Sequence, residues 1–456
     1  MTDLPNIVYL NSHDTGRYIG PYGYDIDTPH LRALAEEGVL FRHCHAAAPT
    51  CSPSRAALMT GEYPHKNGMF GLAHRGHRLV DYDRTLAALL RGRGYRTAAW
   101  GMPANHCLRL PDPRETAATM GYEEWLGHDE AAAEKWLTGH GGKPFFLSMS
   151  WGLTHRGGPR GAHGFSTEPD HGRYDPRYCL PPEPLPDTAA CREDWAWFCS
   201  DATALDRRMG AVIEAIDAAG LTDSTLIVAT TDHGVPFPGM KCSLTRHGTG
   251  VFLIVRGPGG FEGGQVVDHL VSHVDVWPTV AGLVGADIPD RLDGHDLRDC
   301  LGEQGRPIHD ELYGEVTYHA SYEPKRSLRT DRWLYTRRFG DRRQPVLSNC
   351  DRSLSKDVWM AAGWPARVEA DEALFDTCFD PQERHNLAAD PRYAHVLAEY
   401  RARLEAWMRR TSDPLLCGPV PLPDGGIDTI VDETDPKAAR IATAGVPEHR
   451  RLQAEK

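Results

Sequence analysis

Cys51-Ser52-Pro53-Ser54-Arg55-Ala56-Ala57-Leu58-Met59-Thr60-Gly61 carries more information about this chain than any other stretch of it. Ser52 is a favourable N-cap and Pro53 a favourable first helical residue, which predicts a helix beginning just after Cys51. The free N–H groups of such a helix start favour an anion beside Cys51. Arg55 falls about one turn into that helix and adds a fixed positive charge. Two readings of Cys51 stand at this level. It is either a site residue facing a bound anion, or a buried, unmodified cysteine packed at a helix start, the usual fate of a free cysteine.

Upstream, Pro5-Asn6-Ile7-Val8-Tyr9-Leu10 is an apolar, partly β-branched run and reads as a buried strand. It ends at Asn11-Ser12-His13-Asp14. Downstream, Leu221 to Thr231 contains a second strand-like run that delivers Asp232-His233-Gly234 at its C-terminal end, where ligands bind in open α/β sheets. Residues 33–38, 86–94, 202–220 and 274–284 read as helices, and 97–100, 144–150 and 251–255 as strands. This alternation predicts an α/β fold with a mostly parallel sheet covered on both faces. A Gly-, Pro- and His-rich stretch over 157–187 reads as a long surface loop near the site. After Gly305 the pattern changes, with short strands at 315–322 and 333–339 and an amphipathic helix at 393–411. From Pro419 onward the text is polar and aperiodic.

At 456 residues with 41% hydrophobic content the chain can bury one large core and a smaller one. It begins Met1-Thr2-Asp3-Leu4 without a secretory signal pattern, and no apolar run is long enough to span a membrane. Eleven cysteines without regular spacing argue against a disulfide framework, and a cytoplasmic location is the expectation. A net charge of -13 gives no reason to expect nucleic-acid binding, so an anionic substrate must be drawn by a local cluster of cations.

The Cys-x-Pro-x-Arg-x-x-x-x-Thr-Gly spacing of residues 51–61 resembles the signature of the formylglycine sulfatases of the alkaline phosphatase superfamily. Thr28-Pro29-His30-Leu31 resembles the stretch leading to their modified cysteine. Pro64-His65-Lys66-Asn67-Gly68-Met69-Phe70-Gly71-Leu72, Pro236-Phe237-Pro238 with Lys241, and Thr317-Tyr318-His319 resemble the N-sulfoglucosamine sulfohydrolase branch. The resemblance implies an alkaline-phosphatase-like α/β fold, with a mostly parallel central sheet flanked by helices and a smaller C-terminal domain of antiparallel sheet plus helix. It implies domains at 1–305 and 306–418, with a polar C-terminal arm or tail at 419–456. It implies hydrolysis of a sulfate ester or sulfamate, on a saccharide, by an aldehyde hydrate formed from Cys51. Under this resemblance Asp14, Asp232, His233 and modified Cys51 hold a divalent cation, calcium by expectation, with manganese or another ion left open. Arg55 and Lys241 meet the sulfuryl oxygens, His155 protonates the leaving group, and His319 and Arg326 reach the substrate. Trp151 and Tyr318 either stack on a sugar ring or pack in the core. The partners implied are a small or oligosaccharide sulfate and a formylglycine-generating or anaerobic sulfatase-maturing enzyme. A homo-oligomer is compatible with the sequence.

Two departures matter. The family's adjacent pair of leading aspartates is His13-Asp14 here, leaving His13 as a ligand, a hydrogen-bond partner of Asp14, or neither. The family's Gly-Lys-x-His is Gly101-Met102-Pro103-Ala104-Asn105-His106, without the lysine and with the histidine two residues late; His106 is the candidate to deprotonate the aldehyde hydrate. A phosphonate or phosphate monoester hydrolase with the same nucleophile remains an alternative reading, and a non-catalytic carbohydrate-binding relative a lesser one.

Overall fold

A computed structural model describes residues 4–139, 141–157, 164–165, 173–438 and 440–442. Its main sheet has eight strands: β1 (Asn6–Ser12), β2 (Val39–His45), β3 (Arg96–Gly101), β4 (Glu124–Trp125), β5 (Phe145–Ser150), β6 (Thr225–Thr231), β7 (Leu253–Arg256) and β8 (Gln265–Ser272). Their order is β4-β3-β5-β1-β6-β7-β2-β8. β1 pairs in parallel with both β5 and β6, and β3 with β5, while β7 alone runs antiparallel to its neighbours. Ser12, Gly101, Ser150 and Thr231 therefore end at one edge of the sheet.

Strand alternation divides the core into two layers. Ile7, Tyr9, Leu226 and Val228 face one side with α2 (Cys51–Thr60), α3 (Leu86–Gly92) and α5 (Val276–Leu283). Val8, Leu10, Ile227 and Ala229 face the other with α1 (Pro29–Glu37) and α4 (Ala189–Ala218). β1, β5 and β6 are buried along their whole length, so each reads as a continuous apolar run rather than an alternating one. The α/β fold expected from the sequence is the fold observed. One helix is much longer than its period suggested: α4 begins at Ala189 rather than near 202, because Trp195, Phe198 and Cys199 pack into a separate cluster with Tyr18 and Phe237.

A second, antiparallel sheet follows in the order β12-β11-β10-β9, formed by β9 (Leu312–Tyr318), β10 (Tyr322–Arg329), β11 (Trp333–Arg338) and β12 (Glu372–Asp376). The run at 315–322 is thus two strands joined by a turn, with His319 in it. α6 (Ala394–Arg410) buries Tyr400, Leu404 and Trp407 against Tyr313, Leu328 and Tyr335 of this sheet. The stretch after Pro419 is not wholly aperiodic: β13 (Ile427–Thr429) pairs with β14 (Arg440–Ala442). Backbone pairing with its own return segment gives structure to a stretch with no apolar period. The loop expected at 157–187 lies outside the described residues at 158–163 and 166–172. Among the described residues no helix is long and apolar enough to cross a membrane, and all eleven cysteines are free thiols.

Candidate active site

The C-terminal ends of β1 and β6 bring Asp14 and Asp232 together. Asp14 has φ 61°, a left-handed conformation that aspartate tolerates, and its backbone N–H donates to Asp232 Oδ1 at 2.8 Å. Gly234 is required by close approach, since a Cβ there would lie 1.8 Å from the carbonyl oxygen of His247.

Cys51 is the first helical residue of α2, with Thr50 as N-cap; Ser52 was expected to cap, but its hydroxyl instead accepts from the Ala73 N–H at 3.0 Å. Extended backbone at Thr50 starts the helix two residues earlier than the local preference of Ser52 and Pro53 predicts. The consequence is geometric: Cys51 Sγ lies 3.5 Å from His233 Nε2, which is 3.1 Å from Asp14 Oδ1. His13, Asp14, Cys51, Asp232 and His233 each place a donor atom within 4.8 Å of the others. His13 Nδ1 hydrogen-bonds Asp14 Oδ1 at 2.8 Å and lies 3.3 Å from Asp232 Oδ2. Two buried carboxylates with flanking imidazoles form a donor set that fits a hard or borderline divalent cation.

Two buried cations balance the carboxylates. Arg55 donates from Nε to Asp232 Oδ2 at 3.0 Å and from Nη2 to the Ser12 carbonyl at 3.1 Å. Lys241 Nζ donates to Asp14 Oδ2 at 2.8 Å and to Asp351 Oδ2 at 2.9 Å. Burial alone would raise the Asp14 pKa, yet Lys241, His13 and His233 hold it well below the usual carboxylate value. Asp232 is likewise lowered, against burial, by His13, His233 and Arg55. Burial pushes the Cys51 thiol well above its ordinary value.

His155 follows β5, lies one-third exposed, and puts Nε2 3.8 Å from Asp14 Oδ2. His106 stands edge-on to His13 with ring centroids 5.2 Å apart, and its Nε2 is buried without a hydrogen-bond partner among the described residues. The longer loop reaches the site because Asn105 and His106 both take left-handed backbone, φ 46° and 59°. Asn105 anchors the turn, donating to the Tyr122 hydroxyl at 2.9 Å and accepting from Ser150 Oγ at 2.6 Å. Met102 also faces the site, its sulfur 3.8 Å from Arg55 Nη1. Burial, and then Arg55, hold His106 well below the ordinary imidazole pKa.

These groups open into a cavity of about 1110 Å³ whose lining includes Cys51, His106, His155, Lys241, His319, Trp151 and Asp351. His319 presents a buried Nδ1 without a partner among the described residues. Arg326 is not part of the site. It is fully buried beneath the second sheet, where Nε and Nη2 bind Asp413 at 2.6 and 3.1 Å and Glu315 lies 3.4 Å away, so its charge is neutralised internally. Tyr318 packs in the core, its hydroxyl donating to the Val420 carbonyl at 2.7 Å. Trp151 lines the cavity while packing on Trp100 at 5.3 Å.

Sequence reasoning missed Asp351 and the far wall. Asp351 lies in Asn349-Cys350-Asp351, a stretch with no pattern that marks a ligand of Lys241. The far wall is formed by Arg75 and by Pro436, Lys437 and Arg440 of the C-terminal arm. Arg75 pins that arm, donating to the Ala320 carbonyl, Thr429 Oγ1 and the Pro436 carbonyl at 2.9, 3.1 and 2.7 Å.

The sulfatase family model matches residues 5–286. The chain is 29% identical to the N-sulphoglucosamine sulphohydrolase of Homo sapiens, over 91% of this chain and 92% of that protein. Its fold is similar to that of a solved protein in complex with its substrate D-glucosamine-2-N,6-O-disulfate, with TM-score 0.68, 18% identity, and coverage of 90% of this chain and 99% of that one. It is also similar to the phosphonate monoester hydrolase of Silicibacter pomeroyi, with TM-score 0.66, 20% identity, and coverage of 94% and 100%.

Proposed function

Given that the chain belongs to the sulfatase family, hydrolases of sulfate esters or sulfamates, we propose that it acts on a sulfated saccharide through the hydrated aldehyde of an oxidised Cys51. The observation that carries this reading is the position of Cys51: at the first turn of α2, beside His233 and both buried carboxylates, at the floor of the cavity. As a thiol it is held protonated by burial, and a protonated thiol is a weak nucleophile. Conversion by a maturation enzyme replaces it with an aldehyde, whose hydrate supplies one hydroxyl to attack sulfur and a second whose deprotonation later expels sulfate.

Asp14, Asp232 and His233 would hold a divalent cation, calcium or manganese, whose chemistry is to polarise the sulfate and acidify the attacking hydroxyl. Lys241 and Arg55 bring fixed positive charge to the sulfuryl oxygens as the S–O or S–N bond breaks. His155, the partly exposed imidazole of the set, donates its proton to the departing oxygen or nitrogen. His106, with its unpartnered Nε2, accepts the proton of the second hydroxyl. The arm and the rim cations Arg75, Lys437 and Arg440 suit a saccharide carrying further anionic groups.

The test has two parts. Mass analysis of the peptide around residue 51, from a host with maturation machinery, should show thiol sulfur exchanged for carbonyl oxygen; an unmodified thiol would favour a binding protein. Parallel assays on sugar sulfates, aryl sulfates and phosphonate esters should show preference for the sulfates. Preference for phosphonates would select the alternative reading, which the single leading aspartate Asp14 keeps in view.

A further inference from the structure

A second cavity, of about 210 Å³, shares no lining residue with the catalytic cleft. It sits where the β2–β8 edge of the main sheet meets the end of β10, and it is lined by Arg17, Arg246 and Arg329 together with His43 and His45. Arg17 is the anomaly. It is 6% exposed, and among the described residues its Nε is buried without a partner and its one side-chain hydrogen bond is a long one, from Nη2 to the Cys44 carbonyl at 3.4 Å. Its guanidinium lies close against Gly250, where an added Cβ would come within 2.4 Å of Nη2 and 2.6 Å of Nε. The Arg246 guanidinium donates to the Pro381 carbonyl at 2.8 Å and has no carboxylate partner among the described residues.

The acidic residues of the cavity do not neutralise these two. Glu383 is engaged by Arg329 Nη2 and by the Arg246 backbone N–H, both at 2.6 Å. Asp268 pairs with Arg42 at 2.6 Å, and Asp331 lies exposed at the rim. A buried guanidinium without a counter-charge is costly, and an anion in contact with it removes that cost. Burial, followed by Arg246, presses the Arg17 pKa below its usual value, consistent with a site that gathers positive charge. Burial, followed by Arg17, lowers His43 to about 4, so its imidazole is neutral at pH 7.

We propose that this cavity is a non-catalytic binding site for a small tetrahedral oxyanion, sulfate or phosphate, held by Arg17 and Arg246. The volume is below the roughly 300–1,000 Å³ of pockets for organic ligands, which selects an ion over a sugar ring. Planar guanidinium groups match the oxygens of such an ion. Arg17 lies three residues beyond Asp14, and the intervening Gly16 N–H donates to the His233 carbonyl at 2.9 Å, so the occupant bears on the loop that carries the catalytic carboxylate.

Equilibrium dialysis of the intact protein with radiolabelled sulfate, and separately with phosphate, tests this at constant ionic strength set with chloride. The parent should bind one saturable equivalent more than Arg246→Gln, or hold that equivalent about tenfold or more tightly. Arg17→Gln should behave alike; should it fail to fold, the half-buried Arg246 decides. The His43 imidazole resonance should move on titration in the parent and not in Arg246→Gln. The two labelled ions show which is preferred. Equal binding by the parent and Arg246→Gln, or no saturable binding of either ion by the parent, overturns the proposal.

Discussion

At the scale of single residues, the site is a set of buried charges, each held by a named opposite. Cys51→Ala should fold normally and lose turnover, because alanine suits the first turn of a helix and only the reacting group is removed. Cys51→Ser should stall after one transfer, since a serine sulfate has no second hydroxyl with which to expel it; repeated turnover by that variant would contradict the two-hydroxyl mechanism. Arg55→Ala should cost roughly 3–5 kcal/mol in denaturant unfolding as well as activity, because it strands Asp232, fully buried, without its cation. A loss under about 1 kcal/mol would mean that Asp232 is neutralised by other groups. His155→Ala should slow poor leaving groups far more than activated aryl sulfates, whereas His106→Ala should leave the leaving-group dependence of kcat/KM unchanged and accumulate sulfated enzyme. If the two variants show the same leaving-group dependence, the division of proton transfers between them is wrong.

Among the elements, the C-terminal arm and the Gly101–His106 loop shape the cleft most. The arm lies against the catalytic cleft through Arg75, through Lys356 Nζ donating to the Thr434 carbonyl at 2.7 Å, and through a pairing of Arg352 with Asp435. Arg75→Met keeps an unbranched apolar stem but removes three hydrogen bonds to Ala320, Thr429 and Pro436. It should raise KM for saccharide sulfates about tenfold while leaving kcat for a small aryl sulfate near the parent value, since three guanidinium hydrogen bonds, each worth about 1 kcal/mol or more, position the wall and none touches the reacting atoms. A matching fall in aryl sulfate kcat would place Arg75 in the chemistry instead.

For the whole molecule, buried imidazoles dominate the dependence of stability on acidity. Burial lowers His77 and His247 to about 4 and His273 to about 3. The unfolded chain therefore binds more protons at these positions below about pH 6.5, so their contribution is present at neutral pH and is lost as pH falls toward the folded values. Asp206 and Asp428 act in the opposite sense: burial raises both to about 6, so they favour the folded state as pH falls. These three imidazoles against the two carboxyls alone give a net loss on the order of 1.4 kcal/mol per pH unit between pH 6 and 4, and His43, also lowered to about 4, acts in the same sense. Buried His45, His106 and His319, all shifted downward, add to it. Tm measured from pH 7 to pH 5 should fall steadily; a flat or rising Tm would show that these imidazoles are solvated.

Much of this was legible in the sequence because it is local. A buried parallel strand must be apolar throughout, so β1, β5 and β6 announce themselves, and the loops at their ends carry Asp14, His155 and Asp232 to one sheet edge by topology alone. The spacing from Cys51 to Gly61 likewise encodes a helix start, although not its first residue, because the extended backbone of Thr50 outweighs the capping preference of Ser52. What depended on pairing across long separations was not legible. Arg326 and Lys241 are both buried cations; Asp413 and Glu315 turn the first inward, while Asp14 and Asp351 hold the second at the cleft. Arg17 shows the converse, a cation that the fold buries without an opposite charge beside it among the described residues. Period and propensity determine which segments form and which face they bury, but the partner of a buried charge is set by whichever distant segment the tertiary structure brings within hydrogen-bonding reach.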